Sequence, residues 1–345
     1  MTRIQYSAAL LLSSCLVAPA SFADSDTPLF SLSMSESGVP KANNEGGVTR
    51  SSTTESRILP FWGDEARAQG YDLPQPFGVS YGYMNLRQDV VVDKIGFKSD
   101  SLIEIGKFAQ FDLNRDLDIQ TGHTRSKSES QMLKLDAWVF PFMNVYGVYG
   151  KTKGNSNTNL TNIDANVKIL GKYRKIHVGS DIPFELKYDG KSYGGGVTFA
   201  GAYNQFFSTL DLNYTQTNLD IIDGDIKALV ITPRIGYEFV FEPLFAGQGN
   251  TKVQVWTGAM YQDITQRFKG DISKLDLPPE LAKMFNNPLV KDQLSGAKFD
   301  VEQHLAHKWN NTVGARVELT RNFNVLTEIG FNNRNSFFIS GEFRF

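Results

Sequence analysis

From Phe77 to the last residue the chain alternates apolar and polar side chains in long stretches broken by turns. In 208–216, Leu210, Leu212 and Tyr214 oppose Thr209, Asp211, Asn213 and Thr215; in 311–319, Val313, Ala315, Val317 and Leu319 oppose Arg316 and Glu318. A period of two puts successive side chains on opposite faces of a strand. The pattern predicts strands at 107–120, 132–140, from 145 onward, and at 191–203, 206–217, 226–241, 252–267, 308–320, 323–333 and 336–345. The stretch 77–97 is strand-like with a break at Arg87 to Asp89 and reads as a hairpin, which brings the expected total to twelve. Ten and fourteen are the alternatives, since single-chain bacterial barrels use even numbers.

The links between these strands are unequal in a regular way. Short ones fall at 141–144, 204–205 and 321–322, and long polar ones at 155–182 and 269–297. Stepping back from the C-terminus puts every short link, and the 242–251 link, at the end that holds Phe345; both long loops fall at the other. The strands reach the ten or so residues that a tilted strand needs to cross a bilayer. The expected fold is therefore all-β, a transmembrane antiparallel barrel over 77–345.

The first 76 residues read differently. "MTRIQYSAALLLSSCLVAPASFA" carries Arg3, an apolar run and small residues at Ser21 and Ala23, the form of a secretory signal peptide over 1–23. Cys15, the only cysteine, lies inside it in "LSSC", and lipid attachment there is the alternative to cleavage after Ala23. Residues 24–56 are polar and aperiodic and read as a disordered leader. Residues 57–76 hold an apolar cluster and a short helix pattern from Asp64 to Gly70, a candidate seal for the barrel mouth. No later stretch offers about 18 uninterrupted apolar residues, which excludes a helical membrane span by sequence.

Composition sharpens this picture. There are 25 Phe, 13 Tyr and 30 Gly, and without the signal the charge is 34 basic against 37 acidic side chains, or −3. Aromatics and glycines suit strands and turns, and near-neutral charge argues against a nucleic-acid partner. An exported chain without cysteine has no disulfides to rely on and needs a large core or a closed sheet.

The ending "FFISGEFRF" resembles the C-terminal signature of bacterial outer-membrane β-barrel proteins, in which a terminal aromatic follows alternating apolar positions. Phe345, Phe343 and Ile339 match that pattern, whereas Gly341 stands where a bulkier residue is common. The resemblance covers the signal, 77–345 and the last strand. It implies the outer membrane of a Gram-negative cell, a periplasmic C-terminus, contact with outer-membrane lipid and lipopolysaccharide, and insertion by the barrel-assembly machinery.

Strand phase gives the candidate lumen lining: Asp112, Asp116, Asp118, Lys134, Asp136, Asp211, Arg234, Glu238, Arg316, Glu318, Glu328, Glu342 and Arg344. Acids outnumber bases, which suits a cation-favouring passage for small solutes; a closed network of ion pairs is the equal alternative. His123, His177, His304 and His307 fall in loops or outer strand halves, with "HTRS" (123–126) and "HLAH" (304–307) the only clusters. Neither spacing specifies a nucleophile with its base or a metal site, so no catalysis, metal or cofactor is expected. The basic segment 168–177 faces where lipopolysaccharide phosphates would lie, and "PPELAKMF" (278–285) reads as a short helix at the rim or in the lumen. The expected function is a porin-like channel for small solutes or a structural membrane protein. A barrel hydrolase with rim histidines and a surface-binding barrel acting through its outer loops are the alternatives.

Overall fold

The computed structural model describes residues 58–68 and 73–345, apart from positions 101, 106, 221–222, 243, 245–249, 276, 280–281, 284–285, 289–290 and 295. It also gives the backbone pairing of Phe30–Ser31 (β1) with Ala202 and Tyr203. The expected signal peptide at 1–23, with Cys15, and the rest of the 24–56 leader lie outside the described residues.

A six-residue helix, α1 (Gly63–Ala68), precedes the sheet. The sheet continues with β2 (Phe77–Lys98), β3 (Ile103–Ile105), β4 (Ala109–Phe111), β5 (Leu117–Thr121), β6 (Thr124–Phe140), β7 (Met143–Ile169), β8 (Lys172–Gly179) and β9 (Ile182–Tyr203). Then come β10 (Phe206–Leu219), β11 (Asp223–Phe241), β12 (Thr251–Asp271), β13 (Lys298–Leu305), β14 (Trp309–Thr320), β15 (Phe323–Phe331) and β16 (Arg334–Arg344).

Antiparallel pairing runs β2-β6-β7-β9-β10-β11-β12-β14-β15-β16 and returns to β2, where Arg344 faces Gly78 and Arg334 faces Gln88. Phe77 and Phe345 exchange both backbone hydrogen bonds at 3.1 and 2.9 Å, which fastens the seam. The ring therefore has ten strands, so the expected twelve is corrected to the lower alternative. Two misreadings account for the difference: 77–97 is one strand of 22 residues rather than a hairpin, and 107–120 supplies only the short β4 and β5.

The long loop expected at 155–182 is also corrected. β7 continues to Ile169 and pairs with β8 and with β9 from Ile182 to Phe199, so this segment is sheet throughout apart from two turns. Lys168, Lys172, Arg174 and Lys187 point into water, while Leu160, Ile163, Ala165 and Val167 point inward and are buried with Ser156 and Thr158.

Along each long strand the two faces exchange chemistry at one height. On β9 the outward side chains Tyr203, Phe199, Val197 and Tyr193 are followed by Lys191, Asp189, Lys187 and Glu185, while the inward set changes from Thr198 and Ser192 to Tyr188, Leu186, Phe184 and Ile182. On β12 the outward change comes after Tyr261 and the inward residues run from Lys252 and Gln254 to Ile264 and Phe268. Below the change, an outward aliphatic band is rimmed by exposed aromatics. Phe77, Phe206, Phe241, Phe323, Phe343 and Phe345 stand at the end that holds the C-terminus, and Tyr149, Tyr193, Tyr214, Trp309 and Phe331 at the far side of the band. Such an apolar band between aromatic girdles around a closed antiparallel ring is the architecture of a transmembrane β-barrel.

Above the band the ring narrows. β14, β15 and β16 end, and β13 takes their place between β12 and β2, with Thr265 opposite His304 and Leu305 opposite Val90. One strand thus replaces three. A smaller circumference leaves an interior that side chains fill, and there Phe268, Phe299, Ile163, Leu113 and Leu160 are nearly or fully inaccessible. This outer tier has a single apolar core, to which β2, β7, β9, β11, β12 and β13 all contribute.

Candidate functional site

The barrel interior is the first place to seek a site. Among the described residues its lower half is lined with charge. Arg234 meets Glu328 through two hydrogen bonds, Nε to Oε2 at 2.6 Å and Nη2 to Oε1 at 2.9 Å, and Trp256 Nε1 donates to the same carboxylate at 2.7 Å. Arg344 donates to Asp136 at 3.0 Å and also to Glu342, while Asn144 donates to Asp136 at 2.7 Å. Arg316 lies 3.8 Å from Glu342, Lys252 lies 3.8 Å from Glu318, and Gln254 donates to Glu238 at 2.7 Å. Asp211 accepts from Tyr146 at 2.9 Å, Thr198 at 2.6 Å and Asn213 at 2.9 Å, and Lys134 stands 4.7 Å above the Tyr146 ring.

Lys134, Asp136, Asp211, Arg234, Glu238, Arg316, Glu318, Glu328, Glu342 and Arg344 are thus all inside the barrel. Asp112, Asp116 and Asp118 are not, and this corrects their assignment to the lumen. Asp112 and Asp116 build a turn in which the Asp112 backbone N–H donates to the Asp116 carboxylate at 2.9 Å, and Asp118 is exposed on β5 in the outer tier. Asp112 and Asp116 flank a turn outside any strand and only Asp118 lies in the sheet, on its outer tier, so none of the three reaches the lumen. Sequence phase missed Tyr146, Asn144, Lys252, Gln254 and Trp256, which share the inward face with the charged residues.

This interior is tightly filled. The Asp136 side chain is fully inaccessible, and Arg344, Glu318, Arg316, Glu328 and Lys252 keep at most 9 % of their side-chain surface. A charge withdrawn from water is tolerated when paired, and each of these groups has an opposite charge within 4 Å, although Asp136 Oδ1, Arg316 Nε and Nη2 and Arg344 Nη2 make no hydrogen bond among the described residues. At the mouth, the Gln75 carbonyl accepts from Arg344 Nε at 3.0 Å, and Phe61 and Trp62 pack on Phe140 with ring centroids 5.8 and 5.0 Å apart.

The insertion-signal residues Ile339, Gly341, Phe343 and Phe345 lie on or next to β16, the last three at the C-terminal end of the band. Ile339 and Phe343 are exposed on the outer surface, and a Cβ on Gly341 would meet only the Phe323 ring at 3.8 Å.

Three of the four histidines are each paired with an aspartate on the outer tier. His304 Nδ1 is 2.7 Å from Asp93, His123 Nε2 is 3.2 Å from Asp89, and His177 Nδ1 is 3.1 Å from Asp164. Asp164 is also held by Lys175 Nζ at 2.8 Å, and the hydrogen bonds from Lys175 and His177 hold its carboxyl down to about 2. His123 and Ser126 of the HTRS cluster do not meet. His123 is exposed, whereas Ser126 points inward and bonds Tyr188 at 3.3 Å. A shallow cleft beside His123 is lined by Asn157, Thr158, Asn159 and Glu185, and the Thr158 hydroxyl there is engaged by Thr124 at 2.7 Å. Among the described residues no group of three or more His, Cys, Asp and Glu could hold a metal ion. The rim segment "PPELAKMF" carries helical backbone bonds, Ala282 to Pro278 at 2.8 Å and Asn286 to Ala282 at 2.9 Å, in the outer link after β12.

A filled, charged lower interior and an apolar upper one define a closed transmembrane barrel with an extended outer tier. No family model and no curated protein sequence matches the chain. Similar solved structures are bacterial outer-membrane barrels. The transport unit of the autotransporter AIDA-I from Escherichia coli is 10 % identical over 79 % of this chain and 90 % of its own, with a TM-score of 0.30. A loop L8 deletion mutant of OmpT, an outer membrane protein of Vibrio cholerae, is 9 % identical over 77 % and 99 %, with a TM-score of 0.24. The translocator domain of the autotransporter NalP from Neisseria meningitidis is 10 % identical over 77 % and 88 %, with a TM-score of 0.21.

Proposed function

We propose that this chain is a Gram-negative outer-membrane barrel whose lumen is closed, and that it acts as a structural and surface-binding protein through its outer tier. The observation that carries the reading is the lower interior. Asp136, Glu318, Glu328, Arg316 and Arg344 are buried and paired there, beneath the apolar core of Phe268 and Phe299. An open passage would leave such lining side chains in contact with water. The short links at 141–142, 204–205 and 321–322 support a periplasmic C-terminus, because outer-membrane barrels keep short turns on that side. Phe345, Phe343 and Ile339 are then the surface offered to the barrel-assembly machinery.

Planar-bilayer recording tests this against the porin-like reading. A preparation verified as folded by heat-modifiable gel mobility should give no unit conductance. Uniform steps from the same preparation would establish a channel for small solutes instead. The hydrolase reading has the His304–Asp93 pair in its favour, and the surface reading assigns that pair to holding β13 on β2; the folded wild-type protein should show no hydrolysis above background, and a signal that H304A abolishes would establish the hydrolase instead.

A further inference from the structure

We propose that one side of the barrel carries a binding site for a phosphate-bearing glycolipid headgroup, formed by the outward face of β2, β6, β7 and β9. This rests on the outer-membrane reading, since it needs a bilayer at the apolar band.

Tyr81, Leu133, Tyr149 and Tyr193 are directly opposite one another across these four strands and form one row of the upper girdle. The rows immediately above it turn basic. Lys151 faces Lys191, Lys153 stands between Glu129 and Asp189, and Arg87 faces Lys127, with Lys187 beyond Asn155 in the same row. Six cations meet two acids in this patch. Lys153 is 3.8 Å from Glu129, and Lys187 is 3.5 Å from Glu185 in the next row. Arg87, Lys127, Lys151 and Lys191 are exposed, and their side chains make no ion pair among the described residues.

Side chains directly opposite on neighbouring strands stand about 5 Å apart at Cβ, and like charges there destabilise the sheet. Two such pairs, Lys151–Lys191 and Arg87–Lys127, lie two rows apart with Lys153, Glu129 and Asp189 in the row between, a spacing that suits a headgroup carrying two separate phosphates, one for each pair. The far wall shows that height alone does not create this pattern. There Lys227 pairs with Asp225 at 3.1 Å, Lys308 with Asp263 at 3.0 Å and Arg267 with Glu302 at 3.3 Å, so every cation of that wall named here has its own acid. Headgroup phosphates of a lipid whose acyl chains lie along Val145, Leu133 and Leu135 would arrive at the level of the unpaired lysines. Basic clusters at a membrane boundary attract anionic headgroups in this way. The expected basic segment 168–177 stands farther out, where Lys175 is already engaged by Asp164.

The test uses the full chain in nanodiscs of zwitterionic lipid titrated with lipopolysaccharide, with dephosphorylated lipopolysaccharide and inorganic pyrophosphate as separate arms. Phosphorylated lipid should bind at least tenfold more tightly than either. The combined variant R87Q, K127Q, K151Q and K191Q should lose that margin, and K227Q with K308Q should keep it. Equal binding of the dephosphorylated lipid, or equal loss in both variants, overturns the site; pyrophosphate binding as tightly as the lipid overturns the headgroup assignment. Heat-modifiable mobility of each sample separates the two levels. A retained shift with no lipid preference defeats this inference alone, whereas an absent shift defeats the barrel reading beneath it.

Discussion

The lower and upper halves of β9 present opposite chemistry on the same two faces. From Tyr203 to Tyr193 the outside is apolar and the inside polar; from Lys191 to Ile182 the outside is charged and the inside is Leu186, Phe184 and Ile182. Backbone geometry does not change between them, and both halves pair with β7 in unbroken register. The difference lies in what surrounds the wall. Where hydrocarbon is outside, polar groups can be satisfied only inward; where water is outside, apolar groups gain by turning inward. One continuous strand thus serves two solvents, and the height at which its faces exchange marks the boundary.

That comparison can be broken from either side. The largest effect is expected in the outer core: F268A removes a ring with no accessible surface and should cost about 3–5 kcal/mol. Limited proteolysis should then cut the outer tier while the lower barrel stays heat-modifiable; simultaneous loss of both would show that the tiers are one cooperative unit. Next comes the lower interior, where E328Q removes the charge that pairs Arg234 and should cost about 2–3 kcal/mol in a urea midpoint measured in micelles. Acid should act on the upper tier through Asp164. A carboxyl held at about 2 stabilises the folded state fully above its unfolded value near 3.9 and loses that contribution as pH falls towards 2. Amide protection factors in β8, corrected for intrinsic exchange, should therefore fall between pH 5 and 2, and D164N should flatten that dependence. The smallest effect is expected of K94A, whose partner Asp300 sits 3.3 Å away on the wet outer face; a shift beyond about 0.5 kcal/mol would mean that surface pairs matter more here than such pairs generally do.

The alternation at 208–216 and 311–319, the short links and the aromatic ending made the ring legible from sequence, because each is a local signal with period two. Phase also placed Asp136, Arg234, Glu328 and Arg344 on the inward face. What sequence did not yield was the exchange of faces. Arg87 to Asp89 looked like a break in 77–97 because polar side chains interrupt an outward apolar row, whereas they only pass from one solvent to the other. The segment 155–169 looked like a loop for the same reason, and an extra residue, Thr161, opposite the step from Gln120 to Thr121 shifts the inward register by one, so Leu160 and Ile163 do not share a parity. Asp112, Asp116 and Asp118 show the converse error, a polar alternation read as lumen lining although a turn at 112–116 carries part of it and Asp118 is exposed. The partners that close the lumen were beyond phase, since Trp256 reaching Glu328 across 72 positions depends on how the ring closes.

The passage of β7 and β9 through the boundary without interruption has a mechanical consequence. A tip carried on loops can swing; a tip that extends the wall itself can move only by shearing backbone hydrogen bonds along its whole length. Whatever the turn at Leu170 and Gly171 touches beyond the barrel, any load placed on it would pass straight into the ring below, as through the shaft of a single lever.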